Sequence, residues 1–333
     1  MQRYYSFIIP VYNRPQEVQE LLISFSEMTT KIPFEVVIVE DGSTEDSQHV
    51  AKLFESKLNI NYHQKHNTGP GDSRNIGMQI ANGNYFIILD SDCIIPQNYL
   101  EIVNDFLNET YVDCYGGADA AHDDFSPLQK AINYVMTSLL TTGGIRGNKN
   151  AVQKFEPRSF NMGISKEVFE ATKGFSKIHP GEDPDLSQRI EKKGFKTAFI
   201  PKAFVYHKRR ISWEKFYIQV NKFGLVRPIL NVWHPKAAKL TFWLPTLFIC
   251  FVFSSIVLAI VFHYSLIGPL LFYIFIVFID SSLKNRSLYI GLLTIRALFI
   301  QFFGYGRGFL VSTYYIGWLK RDPEKQFPKL FFK

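Results

Sequence analysis

Two aspartates one residue apart, Asp90 and Asp92, directly follow the apolar run of residues 85–89. Carboxylates with this spacing at the end of a strand can share a hard divalent cation and the diphosphate that it neutralises. An Asp-x-Asp triplet also occurs in many solvated turns, so alone it predicts little. It gains weight from three other polar motifs at compatible positions in the chain.

Two of these motifs follow apolar runs, and the third opens a helical pattern. They are Asn13-Arg14 after residues 7–11, Glu40-Asp41-Gly42-Ser43 after residues 34–39, and the Gly-rich stretch 67–77 that contains Arg74. A carboxylate at a strand end can accept a hydrogen bond from a base or a ribose hydroxyl. The amides at a helix start, together with an arginine, suit an anion. Each motif alone also fits an ordinary turn or loop, and for the Gly-rich stretch alone a structural loop would normally be favoured.

The first 115 residues alternate strand and helix patterns. The strand patterns cover residues 7–11, 34–39, 60–62, 85–89 and 111–115, and the helical patterns cover 17–28, 47–56, 72–81 and 96–107. This alternation predicts an α/β fold with a mostly parallel sheet flanked by helices. Ligands of such sheets bind at the carboxyl ends of the strands, where the polar motifs fall.

Taken in order, these motifs resemble the family 2 inverting glycosyltransferases of the GT-A fold. The resemblance covers roughly residues 4–210. It rests on five stretches of the sequence: Pro10-Val11-Tyr12-Asn13, Glu40-Asp41-Gly42-Ser43, Gly69 to Gly77, Asp90-Ser91-Asp92 and Gly181-Glu182-Asp183. It implies a nucleotide-sugar donor, a divalent cation (Mg²⁺ or Mn²⁺) and a single-displacement transfer of one sugar to an acceptor hydroxyl.

The resemblance also assigns roles to individual residues. Asp183 would be the catalytic base, since an inverting transfer needs a carboxylate to take the acceptor proton. The other expected site residues are Pro10, Tyr12, Asn13, Glu40, Asp41, Arg74 and Asp90 for the donor, Asp92 and His207 for the metal, and Asn161 and Glu182 on the acceptor side. Where the family usually has Asp-Asp-Gly-Ser, this chain begins with Glu40.

Charge is distributed unevenly along the chain. Residues 1–201 carry 19 Lys and Arg against 26 Asp and Glu, whereas residues 202–239 carry nine against one. A basic segment just before long apolar stretches indicates anionic membrane lipids as partners rather than nucleic acid. Three cysteines without paired or metal-binding spacing fit reduced surroundings.

The apolar stretches lie after residue 239, and they predict a helical membrane region at residues 236–333 after a cytoplasmic catalytic domain at 1–235. Two spans are expected at about 240–262 and 266–283, and a helix at about 288–310 is expected to lie in the cytoplasmic interface. Three spans are the alternative, in which case Arg296 would need a partner such as Asp280. The chain lacks a signal-peptide pattern at its start, so we expect the catalytic part on the cytoplasmic side of the cell inner membrane.

The sequence therefore predicts a membrane-anchored glycosyltransferase that acts on a lipid-linked saccharide in surface polysaccharide or glycolipid synthesis. A polyprenyl-phosphate glycosyl synthase and a non-catalytic nucleotide-sugar-binding membrane protein are the alternatives. A processive polysaccharide synthase is disfavoured. Such enzymes resemble this fold but carry a Gln-x-x-Arg-Trp motif, which residues 219–223 lack. A nucleotidyltransferase is disfavoured because its Gly-rich signature is missing near Pro10.

Overall fold

A computed structural model of the 333-residue chain describes residues 3–120, 125–142, 156–207 and 212–332. The described residues form two compact units. Residues 3–120, 156–207 and 331–332 make up what we call the sheet unit. Residues 125–142 and 212–330 make up what we call the helical unit.

Eight strands form one sheet in the sheet unit. They are β1 (Tyr5–Val11), β2 (Phe34–Asp41), β3 (Ile60–Lys65), β4 (Tyr85–Leu89), β5 (Cys93–Ile94), β6 (Cys114–Ala120), β7 (Asn161–Ser165) and β8 (Thr197–His207). Their order is β3-β2-β1-β4-β7-β6-β8-β5. Strands β3, β2, β1 and β4 are parallel, whereas β7 runs antiparallel to both of its neighbours. The fold class expected from the sequence is confirmed, with a mixed sheet.

Helices connect the strands and make up the helical unit. They are α1 (Pro15–Ser26), α2 (Gln48–Phe54), α3 (Pro70–Ile80), α4 (Tyr99–Glu109), α5 (Pro127–Thr137), α6 (Leu139–Thr142), α7 (Lys166–Thr172), α8 (Glu182–Lys192), α9 (Trp213–Trp233), α10 (Leu244–Val261), α11 (Gly268–Asn285), α12 (Leu288–Ser312) and α13 (Pro323–Gln326).

The central strands are buried on both faces. In β1, Phe7 and Ile9 pack into one apolar cluster while Ile8 packs into another on the opposite face. In β4, Ile87 and Ile88 divide in the same way. Burial of alternate residues on both sides explains why these strands are continuous apolar runs. It also fixes the positions at which the strands end and the polar motifs begin.

Strand β6 starts at Cys114, three residues later than expected. The Asp113 carboxylate accepts a hydrogen bond from the Lys196 amide at 2.8 Å, and the Asp113 and Cys114 amides both donate to the Lys196 carbonyl oxygen. Asp113 therefore closes the start of the β6–β8 ladder, and Tyr111 lies outside it with about half of its surface exposed.

Three helices of the helical unit are long and apolar enough to cross a membrane: residues 240–261, 264–285 and 288–318. Helix α9 packs along α12 at very short range. A Cβ on Gly224 of α9 would lie 2.1 Å from the Tyr305 carbonyl oxygen, and one on Gly308 of α12 would lie 2.3 Å from the Asn221 oxygen. The segment 213–233, which the sequence places in the catalytic domain, thus packs on α12 within the helical unit.

Arg296, for which the three-span alternative named Asp280 as a possible partner, contacts a different residue. Its guanidinium carbon lies 4.9 Å from the centroid of the Trp213 ring. Asp280 instead accepts hydrogen bonds from Lys284, at 2.8 Å, and from the Tyr134 hydroxyl. Arg296 thus has a cation–π contact and Asp280 a local i,i+4 ion pair, and the Arg296–Asp280 pair that the three-span alternative would call for is not formed.

Candidate active site

The loops after β1 and β2 are joined by Asn13. Its backbone is in the left-handed region at φ 54°, and its side-chain oxygen accepts hydrogen bonds from the amides of Thr44 (2.8 Å) and Glu45 (3.1 Å). Its own amide donates to Ser43 Oγ at 2.7 Å. Tyr12, beside it, is half exposed, so an aromatic face is open to a ligand at this edge.

Glu40 is buried inside the sheet unit, where its carboxylate is hydrogen-bonded to the loop that follows β2. Its side chain is fully buried and accepts hydrogen bonds from the Ser47 amide (2.9 Å) and the Tyr62 hydroxyl (2.9 Å), as well as from Ser43. These contacts fix the loop 43–47. The expectation that Glu40 touches the donor is not supported by this geometry, because its oxygens are occupied from within.

Asp41 faces the Gly-rich loop and holds it in place. Its Oδ1 accepts hydrogen bonds from Lys65 Nζ at 2.5 Å and from the Thr68 amide at 2.9 Å, and its Oδ2 accepts one from the Gly69 amide at 3.0 Å. Gly69 has φ +94°, a conformation that an L side chain rarely adopts. Sequence reasoning missed Lys65, although its position at the end of β3, level with Asp41, was the available signal.

Arg74 connects the sheet edge to a helix that lies more than a hundred residues further along the chain. Its guanidinium is buried, and it donates to Asp90 Oδ1 at 2.8 Å and to Glu182 Oε1 at 3.2 Å. Burial opposes the charged form, but the neighbouring carboxylates outweigh it and raise the pKa of Arg74 above its usual value. A permanent positive charge therefore bridges the end of β4 and the start of α8.

Asp92, the second aspartate of the triplet, is paired with Arg14. Arg14 Nη1 lies 2.5 Å from Asp92 Oδ2. Burial again disfavours the charged guanidinium, yet Asp92 raises the pKa of Arg14 above its usual value. Sequence reasoning placed Arg14 at a strand end but did not connect it to Asp92. In the structure, each aspartate of the triplet is paired with a different arginine.

The residues expected to hold a metal fit a divalent cation in part. Asp90 and Asp92 supply hard carboxylate oxygens at one strand end, and the β5–β8 register pairs His207 with Cys93, the residue after Asp92. Within the parts of the chain that the structure describes, no group of three or more His, Cys, Asp or Glu side chains forms a complete metal site. Mg²⁺ and Mn²⁺ commonly take one or two carboxylates and complete their shell with phosphate oxygens and water. This donor set is compatible with that arrangement.

Helix α8 begins with two adjacent carboxylates in unlike surroundings. Glu182 accepts hydrogen bonds from His179 Nδ1 at 2.9 Å and from Arg74. Burial would raise the pKa of Glu182, but the neighbouring His179 and Arg74 lower it overall. The pKa of Asp183 is raised by burial and then by the charge of Glu182. The Oδ1 atom of Asp183 is buried with no hydrogen-bond partner among the described residues.

Asn161 occupies a different place from the one expected. It is fully buried, its Oδ1 accepts a hydrogen bond from the Tyr99 hydroxyl at 2.6 Å, and its Nδ2 donates to the carbonyl oxygens of Ala203 (2.9 Å) and Ala118 (3.2 Å). Asn161 thus ties β7 to β6, β8 and α4 from inside the sheet. Its side chain is not open to an acceptor in this structure, and the acceptor-side role stays a prediction.

Comparison with known proteins agrees with the fold. The sequence profile described as Glycosyl transferase family 2 matches residues 6–172, which is half of the chain. The chain belongs to this family.

Two curated relatives and one solved structure are similar to this chain over different lengths. TarS, a poly(ribitol-phosphate) β-N-acetylglucosaminyltransferase of Staphylococcus aureus, is 33% identical over 112 residues, or 33% of this chain and 20% of TarS. The glycosyltransferase GlyG of Streptococcus pneumoniae is 24% identical over 246 residues, or 66% of this chain and 79% of GlyG. The mannosyltransferase PcManGT of Pyrobaculum calidifontis, solved with GDP-Man and Mn²⁺, superposes with a TM-score of 0.62 at 15% identity, covering 92% of this chain and 87% of that one.

These likenesses differ in what they support. At 15% identity the superposition on PcManGT shows the fold alone. The aligned part of this chain spans 15% to 20% of the length of the first curated relatives. The profile match establishes the family of this chain, whereas its donor, acceptor and partners do not follow from these comparisons.

Proposed function

We propose that this protein is an inverting glycosyltransferase that moves one sugar from a nucleotide-sugar donor to a hydroxyl of a lipid-linked saccharide. The observation that carries the proposal is the bridge formed by Arg74 between Asp90 and Glu182. It holds the strand end that would receive the diphosphate and the helix start that would supply the base at a fixed distance.

The donor's nucleoside is proposed to lie against the loops after β1 and β2. Tyr12 offers an exposed ring, Pro10 and Asn13 shape the loop beside it, and Asp41 offers acceptor oxygens next to the Gly69 amide. Asp41 is already bound to Lys65, so it would contact a base or ribose only through lone pairs that these partners leave. Glu40 would contribute indirectly, because its hydrogen bond with the Ser47 amide fixes the loop 43–47.

The diphosphate is proposed to meet Asp90, Asp92 and Arg14. When bound, a divalent cation would neutralise the charge that develops on the leaving diphosphate. Asp92 would hold that cation, and His207 is the second proposed ligand. Arg14, now paired with Asp92, lies where its guanidinium could turn to a phosphate oxygen when the cation takes the carboxylate. PcManGT, which shares this fold, was solved with Mn²⁺.

Asp183 is proposed to act as the general base. The acceptor oxygen attacks the anomeric carbon on the face opposite the diphosphate, a new C–O bond forms as the bond to the diphosphate oxygen breaks, and Asp183 takes the hydroxyl proton. A carboxylate with a raised pKa is a stronger base than an ordinary aspartate. Glu182 stays ionised through His179 and Arg74, and its charge favours proton uptake by its neighbour.

The acceptor is proposed to be presented at the cytoplasmic face of the inner membrane. Nine basic residues in 202–239 precede three apolar helices, and anionic lipid surfaces attract such segments at roughly 1 kcal/mol per Lys or Arg. TarS acts on poly(ribitol-phosphate), as its name states, so polymers of the cell surface are a reasonable acceptor class for a relative. Nucleic acid is not a proposed partner.

A donor screen would test the proposal. The full chain in nanodiscs of zwitterionic and anionic lipid would be assayed for nucleotide release from UDP- and GDP-sugars, with polyprenyl-diphosphate saccharides as acceptors. Asp183→Asn should lower turnover about 10²–10⁴-fold with donor affinity unchanged. Asp105→Asn, on the exposed face of α4, is the matched control.

Two outcomes would replace the proposal. Full turnover of Asp183→Asn with polyprenyl phosphate, whose oxygen is already deprotonated, would establish a polyprenyl-phosphate glycosyl synthase. Donor binding without any nucleotide release, with every acceptor, would establish a non-catalytic nucleotide-sugar-binding protein.

A further inference from the structure

Residues 331 and 332 belong to the sheet unit, although the helical unit separates them from the rest of it in sequence. Phe331 forms an antiparallel bridge with Ile178, and the Phe332 amide donates to the Lys177 carbonyl oxygen at 3.1 Å. The backbone of this short segment is therefore hydrogen-bonded to the turn that precedes α8.

The Phe332 ring lies between two loops of the candidate site. On one side it covers Gly69, where an added Cβ would lie 2.3 Å from the Phe332 Cγ and Cδ2 atoms. On the other side its centroid is 5.9 Å from the centroid of the His179 ring. The ring also lines a cavity of about 170 Å³ together with Asp72 and Lys177.

Both loops carry hydrogen bonds on which the proposed site depends. The Gly69 amide donates to Asp41 Oδ2 at 3.0 Å. The His179 ring is bonded to Glu182 Oε1 at 2.9 Å. A side chain that packs on both Gly69 and His179 therefore touches a partner of the proposed nucleoside contact and a partner of the residue beside the proposed base.

We propose that Phe332 is a positioning residue for the transfer reaction, an inference that rests on the proposed function. Its ring keeps the Gly69 loop and the His179 turn at a fixed separation, so Asp41 and Glu182 stay aligned across the site. Removing the ring would leave a space between the loops that neither can fill without moving. Misplacement of reacting groups by about 1 Å can cost about 10²-fold in rate.

The experiment compares Phe332→Ala, Phe332→Leu and Phe327→Ala in the full chain in nanodiscs. Phe327 is the matched control because its ring packs on Tyr315, with centroids 6.3 Å apart, in the helical unit. Hydrogen–deuterium exchange should rise in residues 66–72 and 176–181 of Phe332→Ala, rise less in Phe332→Leu, and stay unchanged there in Phe327→Ala. The value of kcat/KM for the donor should fall by 10-fold or more in Phe332→Ala. Unchanged exchange in both segments would overturn the proposal.

A second measurement directly tests the contact between the Phe332 ring and Gly69. Gly69→Ala should lower the Tm because of its positive φ and because its Cβ meets Phe332. In the Phe332→Ala background the steric part of that loss should disappear, so the two substitutions should be non-additive. Additive losses would show that the ring does not lie on Gly69. Exchange and Tm need no turnover, so a failure of the proposed function would leave both results interpretable.

Discussion

Glu182 and Asp183 are adjacent in the chain, yet the structure shifts their pKa values in opposite directions. Burial alone would raise the pKa of both. His179 and Arg74 reverse the shift at Glu182, whereas Asp183 keeps the effect of burial and adds repulsion from Glu182. Two carboxylates whose pKa values are driven apart can divide their work, one staying charged and the other exchanging a proton.

Asp183→Asn should raise the Tm at neutral pH while it lowers turnover. The pKa of Asp183 is higher in the folded state than in the unfolded chain, so the wild type loses stability as pH rises through the folded value. Asparagine carries no charge and avoids that loss. Scanning calorimetry from pH 4 to pH 8 should show a gain that shrinks towards acid pH. A variant that is less stable than the wild type at pH 8 would contradict the assignment.

Glu182→Gln should move the acidic limb of the kcat/KM profile to lower pH. The negative charge of Glu182 raises the pKa of Asp183, so its removal lowers that pKa and keeps the base ionised in more acid solution. Glu191→Gln, at the exposed end of the same helix, is the control. A limb that moved to higher pH, or did not move, would show that Asp183 is not the group titrating.

Asp92→Asn should abolish cation-dependent nucleotide binding. Asp92 is the carboxylate proposed to hold the cation, and an amide oxygen is a much weaker ligand for Mg²⁺ or Mn²⁺. Calorimetric titration of nucleoside diphosphate with and without Mn²⁺ would measure the dependence directly, without turnover. If the variant keeps the Mn²⁺ effect at full strength, the cation is held elsewhere; Asp105→Asn serves again as the matched carboxylate.

Asn161→Ala should destabilise the sheet unit without a selective effect on acceptor binding. The substitution removes a donor to the Ala203 and Ala118 carbonyl oxygens and the acceptor of the Tyr99 hydroxyl, which keeps Tyr115 as a partner. A buried group left unsatisfied costs about 1–3 kcal/mol. Urea unfolding followed by circular dichroism would report the loss. A variant of normal stability with a raised acceptor KM would restore the acceptor-side role that the sequence suggested.

The sequence predicts the central strands well because strands buried on both faces are continuous apolar runs. Strand β4, for example, ends at Leu89, the last residue of its apolar run. Strand β7 escapes such reasoning: its five residues include Gly163, where a Cβ would lie 1.9 Å from the Tyr115 ring. That strand is selected by its neighbours across the sheet, which local pattern does not reveal.

The same limit applies to the site. The polar residues at the strand ends could be located from sequence, but their directions could not. Glu40 points into the sheet unit because Ser47 and Tyr62 donate hydrogen bonds to it there. Asp41 points towards the Gly-rich loop because Lys65 and the loop amides donate hydrogen bonds to it. These partners come from other strands and loops. Side-chain direction at a strand end is thus a tertiary property, whereas strand position is largely a local one.

The bridge between Phe331 and Ile178 restricts how the chain can be threaded through a bilayer. Residue 207 ends β8 in the sheet unit, and residues 331–332 pair with that same unit. A chain that leaves one side of a membrane and returns to it has crossed an even number of times. If these helices meet a bilayer, we therefore expect at most two of the three to be complete crossings. A reporter fused after Lys333 should therefore be found on the same side of the membrane as one inserted in the sheet unit. Reporters on opposite sides would rule out an even number of crossings.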